Sequence, residues 1–203
     1  SLRLVSLMAF PCAIGLFVLT EPILSLLFSE DVATAAPLLR TLTLGTVFIS
    51  FVSITNAILQ AMGKERVSLY SMLVGSVIKL SVNYFLIGMP AVGIAGAPIG
   101  TVLCYAVAGI ADTVYVIRKT RMNISYTDTF AKPLFSSIVM GFAVFAVYTL
   151  GSKLGHPTLA TLASLCVGVA VYGGLMILLR PFSNSDLEFL PKKDLFRRIF
   201  RVI

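Results

Sequence analysis

Thr158-Leu-Ala-Thr-Leu-Ala-Ser-Leu-Cys-Val-Gly-Val-Ala-Val-Tyr-Gly-Gly-Leu-Met-Ile-Leu-Leu179 runs without a charge or a proline. At ~1.5 Å rise per residue a helix over this stretch crosses the ~30 Å hydrocarbon core of a bilayer. Five more apolar stretches precede it, at about Leu4 to Phe28, Pro37 to Met62, Val67 to Ile87, Ile94 to Ile117 and Leu134 to Leu150. The chain is 58% hydrophobic and only 12% charged, a composition no soluble core of 203 residues could hide. The expected fold is therefore all-α, a polytopic membrane bundle of six transmembrane helices over residues 1–180, followed by a cytoplasmic amphipathic tail at 181–203.

The few charges are sorted by side. Arg3, the Lys64–Arg66 loop, Arg118, Lys119, Arg121, Lys132, Arg180 and the basic tail all fall on one side of an alternating topology. The other side has Lys153, Glu30 and Asp31, with Arg40 just inside the second span. The positive-inside rule then makes both termini cytoplasmic and the chain a multi-pass protein of the cytoplasmic membrane. The net charge of +7 is spread over short loops rather than gathered on one soluble face, so nucleic acid is not an expected partner.

Catalytic chemistry has no parts here. P-loop, GxSxG, HExxH and paired metal-ligand spacings are missing, as are the intramembrane carboxylate pairs an intramembrane protease needs. Cys12, Cys104 and Cys166 lie isolated in separate spans and read as small packing residues. His156, the single histidine, sits in an outer loop with no second ligand nearby. No enzyme activity, metal or cofactor is expected. The chain starts at Ser1 without an initiator methionine and enters a span at once, which reads as an excerpt of something longer.

Within the spans the polar residues are informative. Pro11 and Pro22 favour a bent or interrupted first helix, and Glu21 beside the second proline suits the interface. Pro37 suits the first turn of the second helix. Along that helix Thr43, Thr46, Ser50, Ser53, Asn56 and Gln60 recur at steps of three or four, a single polar stripe. It reads either as helix-to-helix hydrogen bonding or as the wall of a wet cavity. Lys79 stands ~18 Å from Val67 and ~12 Å from Ile87 along the third span, too deep for a helix-end residue. A central lysine costs ~3 kcal/mol, a cost met by facing a cavity or a partner or by snorkelling along its stem toward the outer headgroups; the cavity is the favoured reading. Asn83, at i+4, shares its face.

Gly96, Gly100 and Cys104 form a small-residue ridge on the fourth span that suits close helix packing. Gly168, Gly173 and Gly174 suit the same role on the sixth. Asp112, near the end of the fourth span, is expected to pair locally with Arg118 and Lys119. In the tail, Leu195, Phe196, Ile199, Phe200 and Ile203 fall opposite Lys193, Arg197, Arg198 and Arg201, the pattern of a helix lying on anionic lipid.

A polar stripe, a deep cation and proline-broken helices are the materials of a transport pathway, where sites near the midplane form between helices. Lys79, Asn83, Asn56 and Gln60 are the candidate substrate-binding residues, suited to a phosphate or carboxylate.

The runs Asn56-Ala-Ile-Leu-Gln60-Ala-Met-Gly-Lys64, Lys79 through Asn83-Tyr-Phe-Leu-Ile87, and Gly93-Ile-Ala-Gly-Ala-Pro-Ile-Gly-Thr101 resemble the polysaccharide-biosynthesis flippases, in particular the stage V sporulation protein B-like branch of the multidrug/oligosaccharidyl-lipid/polysaccharide superfamily. The opening Phe10-Pro-Cys-Ala-Ile-Gly-Leu16, with Glu21-Pro-Ile-Leu-Ser-Leu-Leu-Phe28, looks like the start of that family's C-terminal lobe. The resemblance implies a transporter of about fourteen spans in two lobes working by alternating access, with this chain supplying the last six against an N-terminal lobe. It implies undecaprenyl-pyrophosphate-linked oligosaccharide or peptidoglycan precursor as cargo in a bacterial cytoplasmic membrane. Membrane potential or an ion gradient would drive it. The helices starting near Leu134 and Thr158 would line a lipid groove. Two other functions fit the residues: a cation-coupled multidrug exporter of the same fold, and a non-transporting scaffold that holds cell-wall or spore-envelope enzymes through its basic tail.

Overall fold

The computed structural model describes residues 2–28, 32–89, 92–120, 127–153 and 157–179. The tail at 181–203, His156, Glu30 and Asp31 lie outside them. The described residues are helical: α1 (Leu2–Val18), α2 (Thr20–Leu27), α3 (Val32–Ala61), α4 (Glu65–Ile87), α5 (Gly96–Thr120), α6 (Lys132–Lys153) and α7 (Pro157–Leu179). A short 3₁₀ turn at Gly93–Ala95 leads into α5, and a π-helical turn at Thr127–Ala131 leads into α6. Five helices are long and apolar enough to cross a membrane, or six when α1 and α2 count as one broken span. The chain is an all-α, multi-pass membrane bundle.

The break at Leu19 follows from Pro22. Proline at position i removes the hydrogen bond to the carbonyl at i−4 and crowds it; for Pro22 that carbonyl belongs to Val18, where α1 stops. Pro11 stays inside α1, which continues past it. Pro37 is not in a first turn as expected, because α3 begins five residues earlier at Val32.

The chain divides into two compact units, one of α1 with the segment from the π-helical turn onward, the other spanning Leu19–Ile124. In the first unit α6 packs against both α1 and α7. Gly141 admits Ile14 of α1, and Gly168 admits Val144 of α6, each leaving no room for a Cβ. Gly173 and Gly174 differ from expectation: among the described residues nothing would meet a Cβ on either, so they hold no described helix close.

In the second unit α5 is the central helix, packed on α3 and α4. The α3–α4 connection is a tight reversal. Gly63, at φ +63°, takes the left-handed conformation, while Lys64 N–H bonds the Leu59 carbonyl and Gly63 N–H the Gln60 carbonyl. This pair closes the end of α3 and needs a residue at ease with positive φ. Along α5, Gly100, Cys104, Ala108, Asp112 and Val116 are all buried at four-residue steps. A Cβ on Gly96 would strike Leu86; one on Gly100 would strike Asn83; one on Gly75 would come within 2.7 Å of the Cys104 carbonyl. Four residues forward on α5 therefore match roughly four backward on α4, an antiparallel register in which the small residues let the two backbones approach.

Candidate functional site

The register of α5 against α4 separates the candidate residues into two groups. Lys79 and Asn83 lie toward the Ile87 end of α4, where both are half-buried. Asn83 packs over Gly100, and its Oδ1 is buried without a hydrogen-bond partner. Lys79 makes no ion pair or hydrogen bond among the described residues. It stands about 21 Å from the start of α4 and about 12 Å from its end. The unpaired Lys79 ammonium is the group an incoming anion would engage, while the Asn83 oxygen is closed in against Gly100 of α5.

Asn56 is elsewhere. It lies five residues from the end of α3 and accepts a hydrogen bond from Ser68 Oγ in the first turns of α4. Ser68 is eleven residues before Lys79, about 16 Å along the helix. Gln60 is exposed at the end of α3. The four candidates thus do not form one site: Lys79 and Asn83 make one polar locus, Asn56 belongs to another, and Gln60 joins neither.

Along most of its length the stripe on α3 makes no helix-to-helix hydrogen bond. Thr43 donates to the Arg40 carbonyl at 2.7 Å, Thr46 to Thr43 at 2.6 Å, Ser50 to Thr46 at 2.8 Å and Ser53 to Ile49 at 2.9 Å. These hydroxyls are satisfied by their own helix, the ordinary resort of Ser and Thr in an apolar span. Only Asn56, with an amide too long to fold back in this way, reaches another helix.

Sequence reasoning misplaced Asp112. It is fully buried, at 0% exposure, and its Oδ2 lies 3.3 Å from Ser68 Oγ while its Oδ1 has no partner. Arg118 and Lys119 are exposed and do not pair with it. Lys119, on the same face, is about 10 Å further along, beyond ion-pair reach. A signal was present: Asp112 continues the four-residue ridge of Gly100 and Cys104, and a residue on a packing ridge is buried with it. Asn56, Ser68 and Asp112 join α3, α4 and α5 in a polar junction inside the bundle.

A third polar contact lies at the opposite end of this unit. Arg40 Nη2 is 3.0 Å from Glu21 Oε1, with both side chains substantially exposed. The pair ties α2 to α3. The cysteines divide: Cys104 is buried against Gly75, whereas Cys12 and Cys166 are exposed, and all three are free.

Apolar spans, closely packed small-residue ridges and polar residues concentrated between helices define a polytopic α-helical membrane protein. The MatE family model matches residues 1–85. The chain is 29% identical over 171 residues to the "Probable lipid II flippase MurJ" of Thermotoga maritima, covering 81% of this chain and 34% of that protein. It is 34% identical over 100 residues to the "Uncharacterized membrane protein MJ1068" of Methanocaldococcus jannaschii, covering 49% of this chain and 19% of that protein. The chain thus spans about a third or less of the relatives it matches. No solved structure matches it.

Proposed function

We propose that this chain is the C-terminal lobe of a membrane flippase that carries a lipid-linked oligosaccharide or peptidoglycan precursor across the bacterial cytoplasmic membrane by alternating access. The observation that carries this reading is Lys79, an unpaired, half-buried cation far from either end of α4, with the orphaned Asn83 carbonyl oxygen one turn on. An ammonium is tolerated at that depth when it faces water or an anion, and a pyrophosphate linking lipid to sugar supplies the anion. The similarity to a protein named as a probable lipid II flippase, and to the MatE family at residues 1–85, supports the same class of activity. Membership of the stage V sporulation protein B-like branch, with both termini of this segment cytoplasmic, is part of the proposal. So is pairing with an N-terminal lobe.

The test is leaflet accessibility of labelled lipid-linked sugar in vesicles holding the complete protein. Wild type should translocate the lipid, and Lys79→Gln should abolish translocation while membrane insertion stays intact. Unchanged translocation in Lys79→Gln removes Lys79 from the pathway. No translocation by wild type removes the cargo class.

One observation favours a second reading, a cation-coupled multidrug exporter of the same fold. Such exporters need an acidic residue within the membrane, and Asp112, on the apolar helix α5, is fully buried between helices. Drug-dependent cation flux in the same vesicles, lost in Asp112→Asn, would select this reading. The scaffold reading rests on the tail at 181–203, outside the described residues.

A further inference from the structure

We infer that Asp112 is a proton-binding site: in the packed α3–α4–α5 bundle it is a neutral carboxylic acid that donates to Ser68, which in turn donates to Asn56. The inference rests on hydrogen accounting at the junction and holds for either cargo.

Ser68 Oγ lies 3.3 Å from Asp112 Oδ2 and within bonding reach of Asn56 Oδ1. A hydroxyl owns one hydrogen and can serve only one of these acceptors at a time. With Asp112 ionised, one acceptor is left without a donor, and Oδ1 has no partner in any case. The result would be a full charge at 0% exposure, supported by at most one neutral hydrogen bond, a costly arrangement in an apolar interior. A proton on Oδ2 removes the charge and supplies the missing hydrogen. Oδ2–H then donates to Ser68 Oγ, Ser68 O–H donates to Asn56 Oδ1, and each contact is used once. Turning the Asn56 amide end for end, so that Nδ2 donates to Ser68, would release the hydroxyl hydrogen for Oδ2. Oδ1 would still have no donor, and the charge would stay uncompensated.

Among the described residues no neighbouring cation replaces the proton. Lys64, Glu65 and Arg66 at the start of α4, and Arg118 and Lys119 at the end of α5, are all exposed. On α3 the charged residue is Arg40, paired with Glu21. Lys79 is about 16 Å from Ser68 along α4. Among the described residues no group of three His, Cys, Asp or Glu side chains could hold a metal ion.

Infrared difference spectroscopy of the complete protein in lipid nanodiscs near neutral pH, wild type against Asp112→Asn, tests this assignment. The expected result is loss of one carboxylic-acid C=O band that moves to lower wavenumber in D2O. Thermal stability should be equal or higher in Asp112→Asn, because the amide supplies an N–H donor for Ser68 without a charge. Ser68→Ala keeps the acid but removes its acceptor, so the band should persist and move to higher wavenumber. If Asp112→Asn fails to fold, the Ser68→Ala shift carries the test, and an unmoved band overturns the assignment. It is also overturned if Asp112→Asn removes no carboxylic-acid band. A sodium-dependent Tm in wild type that Asp112→Asn abolishes would overturn it too, since a metal ion would then neutralise the carboxylate. Loss of translocation alone would bear on the proposed function and not on this assignment.

Discussion

Tyr172 on α7 donates its phenolic hydrogen to the Leu7 carbonyl of α1 at 2.6 Å, and Leu7 is the residue four before Pro11. In an unbroken helix the N–H at position 11 would satisfy that carbonyl; proline has none. Tyr172 thus fills the vacancy that Pro11 creates and lets α1 run on through its proline to Val18. In lipid, where water cannot serve the freed carbonyl, such substitution is the condition for tolerating a mid-span proline.

Tyr172→Phe should therefore destabilise the first unit by about 1–3 kcal/mol, the cost of leaving a buried acceptor unmade. Pro11→Ala restores the native N–H donor to Leu7. A double-mutant cycle followed by thermal unfolding in detergent should show that Tyr172→Phe costs much less in the Pro11→Ala background. Equal costs in both backgrounds would mean that the hydroxyl acts on something other than the proline gap.

The ion pair of Arg40 with Glu21 invites a weaker expectation. Both side chains are substantially exposed, and exposed pairs contribute about 0–1 kcal/mol. Glu21→Gln should change the unfolding midpoint little. A large loss would indicate that the pair is shielded in the complete protein by segments this chain does not contain.

The spans were legible because the bilayer imposes length and composition directly on each segment, so runs such as Thr158 to Leu179 declare themselves without reference to any other part of the chain. The ridge of Gly96, Gly100 and Cys104 was legible for a related reason: small residues at four-residue steps on one helix face have few uses besides close approach. What could not be read was partnership. Asp112 finds Ser68 forty-four positions away, and Tyr172 finds Leu7 across 165. Both depend on the register between helices, which no local pattern reports. The α3 stripe misled for the opposite reason. Its periodicity is real, but Thr43, Thr46, Ser50 and Ser53 turn their hydroxyls back onto their own helix, so a shared face did not become a set of bonds to a neighbouring helix. Lys79 and Asn56 were joined as one site because both are polar within spans. The antiparallel turn at Gly63 instead sets Asn56 beside Ser68, one end of α4 away from Lys79.

That turn supplies a clean conformational test. Among the described residues a Cβ on Gly63 would meet nothing within 4 Å, so the cost of substitution comes from its φ of +63°. Gly63→Ala should cost about 1–2 kcal/mol, the penalty for placing a β-carbon in the left-handed region. Gly63→Asn, which tolerates that region better, should recover part of the loss. Equal effects of the two changes would show that the end of α3 re-forms without the left-handed residue.

The glycines of the helix interiors should separate by what faces them rather than by how they look in the sequence. Gly75 and Gly173 are both mid-span glycines, and each would gain helix propensity on conversion to alanine, by up to about 1 kcal/mol. At Gly75 the new methyl would lie 2.7 Å from the Cys104 carbonyl and 3.1 Å from its Sγ. A backbone oxygen cannot rotate aside, so α4 and α5 would have to part. Overpacking of this kind typically costs about 1–3 kcal/mol, and parting would also carry Ser68 away from Asp112, since the two contacts lie on one packing seam. At Gly173 no atom of the described residues stands within 4 Å, leaving the propensity gain unopposed. Thermal unfolding should therefore show Gly75→Ala destabilised and Gly173→Ala unchanged or slightly stabilised. A destabilised Gly173→Ala would mean that a segment beyond the described residues packs against that face of α7.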